Sequence, residues 1–92
     1  MPRWTPPAIS DLQEAWAFVA ADNEAAADRQ VAIVNVAANR LDRFPRLGRP
    51  MPTKDTRQFF VSRTPFKLLY RILTYDEVEI LRVYHTAREW PP

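Results

Sequence analysis

Apolar residues recur at helical spacing in the first half of this chain and alternate along the second half. From Ala8 onward, Ile9, Leu12, Trp16 and Val19 fall on one face of a helix. Thr5 is placed to cap that helix, and Pro6 and Pro7 occupy its first turn, where a missing N–H is harmless. Asp11 and Glu14 lie near the positive end of the helix dipole. The helix is expected to stop near Ala21, and Arg3-Trp4-Thr5 before it reads as a few residues of strand. Asp22-Asn23 interrupts the pattern, with Asn23 as the next cap. Ala27, Val31, Val34, Ala38 and Leu41 then form a second stripe, rich in small residues, so the two helices read as an antiparallel hairpin. This second helix ends before Pro45, with Arg40 and Arg43 at its negative end.

Residues 45–52 hold three prolines and the chain's single glycine, which predicts an ordered loop without helix or central strand. Three strands are expected after it: Arg57–Ser62, Phe66–Leu73 and Val78–Tyr84. In the middle one, Phe66, Leu68, Tyr70 and Ile72 share one face, and Lys67, Leu69, Arg71 and Leu73 the other. Thr74 to Glu77 is a compact hairpin turn. The predicted order is β-α-α-β-β-β, an α+β fold with an antiparallel meander packed on a helical hairpin. Trp4, Trp16, Phe59, Phe60 and Tyr70 read as core, while Trp90 fits either a groove or the sheet.

Composition narrows the picture. The 92 residues make one domain, residues 1–92, and 47% hydrophobic with 26% charged residues is globular rather than disordered. The absence of cysteine excludes disulfides and thiolate metal sites and suits a reducing cytoplasm. With His85 the sole histidine, no multi-histidine metal site is possible, and neither a metal nor a cofactor is expected. No run approaches the ~20 apolar residues of a membrane span, and the first residues lack the apolar core of a signal peptide.

Charge is distributed unevenly. Residues 1–30 carry two basic and five acidic groups, residues 40–71 nine basic and two acidic, and residues 72–92 two basic and four acidic. A positive face for phosphates or an acidic peptide is one reading of the middle segment, and a solvated surface is the other. Arg57 and Arg71 could equally serve the sheet as ion pairs with Glu79 or Asp55.

Local patterns add a resemblance. Ala8 to Ala20, with Asp11-Leu12 inside it, is similar to the opening helix of the RelE/ParE toxin superfamily of type II toxin–antitoxin pairs. Asp22-Asn23-Glu24 with Ala26-Ala27 resembles that family's link between helices, and Pro45-Arg46-Leu47-Gly48-Arg49-Pro50 its loop. Thr56-Arg57-Gln58-Phe59, Phe66 to Arg71, and Ile80 to His85 with Arg88 resemble its strands. The matches run in order along nearly the whole chain, and the Gly48-Arg49-Pro50 loop and last strand look most like ParE-type members.

The resemblance implies a RelE/ParE-like fold, a cytoplasmic bacterial toxin and a cognate antitoxin that wraps and silences it. ParE-type toxins poison DNA gyrase and have no accepted catalytic residues. RelE-type toxins cut messenger RNA in the ribosome, and an inactive, toxin-like binding module is a third possibility. Under the ribonuclease version, Lys67, Arg71, His85 and Arg88 are the candidate catalytic groups, gathered on the exposed concavity of the sheet. Arginine and lysine would steady the phosphate, and His85 or a lysine of shifted pKa would move protons. His85 has an equally simple reading as a hydrogen-bonding residue at a strand end. The chain departs from the RelE pattern in having Lys54 as the only mid-chain lysine before the third strand and no tyrosine after His85. Arg46, Arg49, Lys54, Arg57 and Arg63 are the candidate contacts to antitoxin or target, because a basic segment suits an acidic partner that folds on binding.

Overall fold

The computed structural model describes residues 1–86. Strand β1 is Arg3–Trp4, helix α1 Pro6–Ala20 and helix α2 Glu24–Arg43. A 3-10 turn over Pro45–Leu47 leads to β2, Arg49–Pro50, then β3, Thr56–Phe60, β4, Phe66–Ile72, and β5, Val78–His85. The class is α+β, as the sequence predicts: the helical hairpin packs on a five-stranded sheet in the order β1-β5-β4-β3-β2.

Both helices start where the capping chemistry places them. The Thr5 hydroxyl accepts from the Ala8 N–H at 3.2 Å, and the Asn23 side chain accepts from the Ala26 N–H at 3.0 Å. The buried face of α1, however, only partly matches the predicted one. Ala8 and Asp11 are buried and Leu12 and Ala15 pack on the core, whereas Ile9 and Trp16 are exposed. Helix α1 lies against β5, where small alanines allow close approach and a buried carboxylate makes the attachment. Trp16 instead donates its indole N–H to Asp28 of α2 at 2.8 Å. On α2, Ala27, Val34, Ala38 and Leu41 are buried as expected, with Ala37 beside them and Val31 only partly covered.

The sheet is mixed rather than purely antiparallel. The β2 to β5 meander is antiparallel throughout, but β1 joins the free edge of β5 in parallel, with Arg3 opposite Glu79 and Trp4 opposite Ile80. The proline-rich loop contributes β2, the other edge strand, where Pro50 lacks an N–H that a central strand would need. Strand β3 ends at Phe60. Val61 is buried and accepts the Thr64 N–H within the turn to β4. Phe60 is 53% exposed and so is not core.

Strand β5 contains a bulge. Ile80 faces Tyr70 and Arg82 faces Leu69, so Leu81 is the extra residue. The bulge shifts the alternation: Val78 and Ile80 point into the core, and so does Val83. The core lies between sheet and helices, built on Val34, Leu41, Leu68, Tyr70, Val78, Ile80 and Val83.

Candidate interaction surfaces

The loop between α2 and β3 is clasped from the sheet by two side chains. Tyr70, buried on the inner face of β4, donates its hydroxyl proton to the Pro45 carbonyl at 2.6 Å and accepts the Gly48 N–H at 2.8 Å. Arg57 of β3 donates to the carbonyls of Gly48 at 2.7 Å and Arg46 at 3.3 Å. Gly48 is required by proximity rather than by backbone conformation, since its φ is −74°. A Cβ there would meet the Tyr70 hydroxyl, Tyr70 Cε1 at 2.6 Å and the Gln58 carbonyl at 2.8 Å. Burial raises the Tyr70 pKa, with the Gly48 hydrogen bond and the Arg57 charge opposing it. The Gly-Arg-Pro loop is therefore a fixed element, and Arg57 is committed to holding it.

The opposite edge is fastened by a carboxylate. Strand β1 ends at Trp4, so β5 loses its neighbour beyond that point. Thr5 donates its hydroxyl to the Leu81 carbonyl at 2.9 Å, and Asp11 accepts the Val83 N–H at 2.9 Å. The same carboxylate takes two bonds from the Arg82 guanidinium, at 2.8 and 3.0 Å. The bond to Asp11 is the main reason the Arg82 pKa is raised. Asp11 thus stands in for a missing strand, a role its position in the sequence does not reveal.

The predicted catalytic constellation is divided between two faces. Lys67 lies on the outer face, its ammonium 5.5 Å from the Phe60 ring centroid and 5.7 Å from that of Tyr84. Arg71 shares that face and is paired with Glu79 at 2.7 Å, one of the two partners its sequence context offers. His85 sits opposite Phe66 at the end of β5 and points to the helical side. Its ring meets Phe66 and Phe18 edge-on, with centroids 5.5 and 6.1 Å away. With Asp11, Glu14 and Val83 these rings line a hollow of about 80 Å³. The expectation that His85 joins Lys67 and Arg71 on one concavity is therefore not met: the strand alternation after the bulge turns it the other way. Arg88 and Trp90 lie outside the described residues.

The basic segment is likewise dispersed. Arg40 and Arg43 end α2, Arg46 lies in the 3-10 turn, Arg49 in β2 and Lys54 in the turn before β3, all exposed and at one end of the sheet. Arg63 lies in the β3–β4 turn at the other end, with φ 66°. The two ends are separated by the five residues of β3, roughly 17 Å of strand. Arg46 also pairs with Asp76 at 3.3 Å, in the β4–β5 turn. Among the described residues no cluster of three or more histidine, aspartate or glutamate side chains could hold a metal ion, and no helix is long and apolar enough to cross a membrane.

A profile of the ParE toxin of type II toxin–antitoxin systems, parDE, matches residues 3–90. The chain belongs to the ParE toxin family. It is also 38% identical over 89 residues to a Sinorhizobium fredii protein named "Putative toxin Y4kP", covering 97% of this chain and 91% of that protein. Its fold resembles a solved chromosomal ParDE toxin–antitoxin system from P. aeruginosa, with a TM-score of 0.75 and 24% identity over 90% of this chain and 91% of that one. In this ParE-family chain the Gly48 clasp fixes the loop that leads into edge strand β2, and the Asp11 seam covers β5 beyond the end of β1. Phe44, Leu47 and Tyr75 are exposed features that pattern reading passes over, because their apolar character alone suggests burial.

Proposed function

We propose that this ParE-family chain arrests growth by binding DNA gyrase in the cytoplasm, and that a cognate antitoxin neutralises it. The observation that carries a binding rather than a catalytic mode is the partition of the candidate groups. Metal-free RNA cleavage needs a phosphate-steadying cation and a proton carrier around one phosphate. Here Lys67 and Arg71 occupy one face, with Arg71 bonded to Glu79, and His85 occupies the other. The gyrase target follows from the family resemblance, and the antitoxin from membership of a family defined by toxin–antitoxin pairs.

The test is a gyrase supercoiling assay with the purified chain, with and without excess antitoxin. Loss of supercoiling or accumulation of cleaved DNA, reversed by antitoxin, is the expected result. Undisturbed gyrase together with ribosome-dependent mRNA cleavage would replace this reading with the ribonuclease one.

A further inference from the structure

At the end of the sheet that carries the clasped loop, apolar side chains stand in solvent among arginines. Phe44 and Leu47 expose 51% and 44% of their surface on either side of Arg46. The Arg43 guanidinium lies 5.6 Å from the centroid of the Phe44 ring. Arg46 reaches across to Asp76, and next to Asp76 is Tyr75, 94% exposed. Tyr75 and Asp76 both have positive φ, 63° and 60°, a backbone that favours asparagine or glycine. The tyrosine ring therefore neither suits its turn nor contributes to the core. Arg49 extends the rim along the edge strand β2. The loop beneath is held by Tyr70 and Arg57, so the surface is already organised before any partner arrives.

We propose that this corner, with Phe44, Leu47 and Tyr75 as apolar seats and Arg43, Arg46 and Arg49 as rim, docks an acidic segment studded with apolar side chains, belonging to the antitoxin. The proposal rests on the toxin–antitoxin reading above and adds the location and chemistry of the contact. Aromatic and arginine side chains are the groups that concentrate binding energy at protein interfaces. The rim is complementary to carboxylates, and each arginine can bind one in a forked geometry. A nucleic acid fits less well. Its phosphates form a continuous row of charge, whereas the arginines here are interrupted by Asp42 and Asp76 and surround an apolar centre.

The experiment takes as its probe the purified product of the small reading frame adjoining this chain's own, as the antitoxin, and titrates it into the wild-type protein and into three variants. These are Phe44→Ser with Leu47→Ser, Arg43→Glu, and Tyr75→Asn. The first two should bind about tenfold more weakly or worse, and Tyr75→Asn measurably more weakly. A melting curve identifies any variant that fails to fold. Tyr75→Asn keeps the test decisive in that event, because its side chain lies outside the core and asparagine suits its backbone. Ile9→Ser, exposed on α1, should stay within about twofold of wild type. Unchanged affinity in all corner variants overturns the surface while leaving the toxin–antitoxin reading intact. An antitoxin that does not bind the wild-type chain overturns both. A single-stranded oligonucleotide that binds the wild type and is lost with Arg43→Glu, while antitoxin affinity is unaffected, assigns the corner to nucleic acid instead and also overturns the proposal.

Discussion

Arg82 and Arg71 each grip a carboxylate, on neighbouring strands of one sheet, yet the two pairs do different work. Asp11 is 3% exposed and takes the Val83 N–H as well as two guanidinium bonds, closing the open edge of β5 against α1. Glu79, 20% exposed, receives a single bond from an Arg71 side chain that is 47% exposed, on the outer face of the sheet. The contrast shows that an ion pair matters in proportion to what else its members satisfy. Removing Asp11 strands a backbone donor and a guanidinium in the α1–β5 seam. Removing Glu79 leaves Arg71 to solvent.

Four substitutions test that ranking, from the greatest loss to the least. Asp11→Ala should destabilise the fold by about 3 kcal/mol, at the low end for a broken buried pair because Arg82 can turn partly outward. For a domain of this size that is a fall in Tm of more than about 10 °C, and a loss no greater than that of Glu79→Ala would erase the distinction. Gly48→Ala should follow at about 1–3 kcal/mol, the range for a side chain forced into an occupied space. A wild-type melting curve for that variant would mean the loop moves freely from Tyr70.

Tyr70→Phe should come next, at about 1–2 kcal/mol, since it leaves the Gly48 N–H and the Pro45 carbonyl without their partner. Its pH dependence is a sharper check. The folded-state pKa lies above the ordinary value of 10.0, so the unfolded chain releases its phenolic proton first as pH rises. Stability is then fully present below about pH 10 and declines as pH climbs toward the folded-state value. In Tyr70→Phe that component of the alkaline decline should disappear from denaturant titrations. Arg71→Ala should have the smallest effect, within about 1 kcal/mol. A double-mutant cycle with Glu79→Ala that returned a coupling comparable to the Asp11 loss would break the comparison from the other side.

The helical hairpin, the three long strands and the alternation of β4 are legible in the sequence because each rests on local rules. Thr5, Asn23 and the Phe66-Leu68-Tyr70 stripe act within a few residues of themselves. The basic segment is also visible, and so is the Arg71 pair with Glu79, but Arg57 binds the backbone carbonyls of Gly48 and Arg46, acceptors that no charge pattern marks and only the sheet brings near. His85 does not share the outer face of Lys67 and Arg71, because the bulge at Leu81 shifts the alternation of β5 and turns it toward Phe18 and Phe66. Helix α1 was rotated for a related reason. Hydrophobicity favours Ile9, Leu12, Trp16 and Val19 as its inner face, whereas Leu12 packs on the core beside Ala8, Asp11 and Ala15 and leaves Ile9 and Trp16 exposed.

Periodicity, caps and proline positions by themselves determine which stretches of this chain are helix, strand or loop, since each depends on backbone and neighbouring side chains alone. The tertiary structure decides how charge is used. Whether Asp11 caps a dipole or replaces a strand depends on β1 ending at Trp4 and leaving the Val83 N–H without a neighbouring strand. Whether Phe44, Leu47 and Tyr75 are core or surface depends on where the clasped loop and the β4–β5 turn come to rest. Burial and hydrogen-bond partnership are properties of distant segments meeting, and no local pattern carries that information.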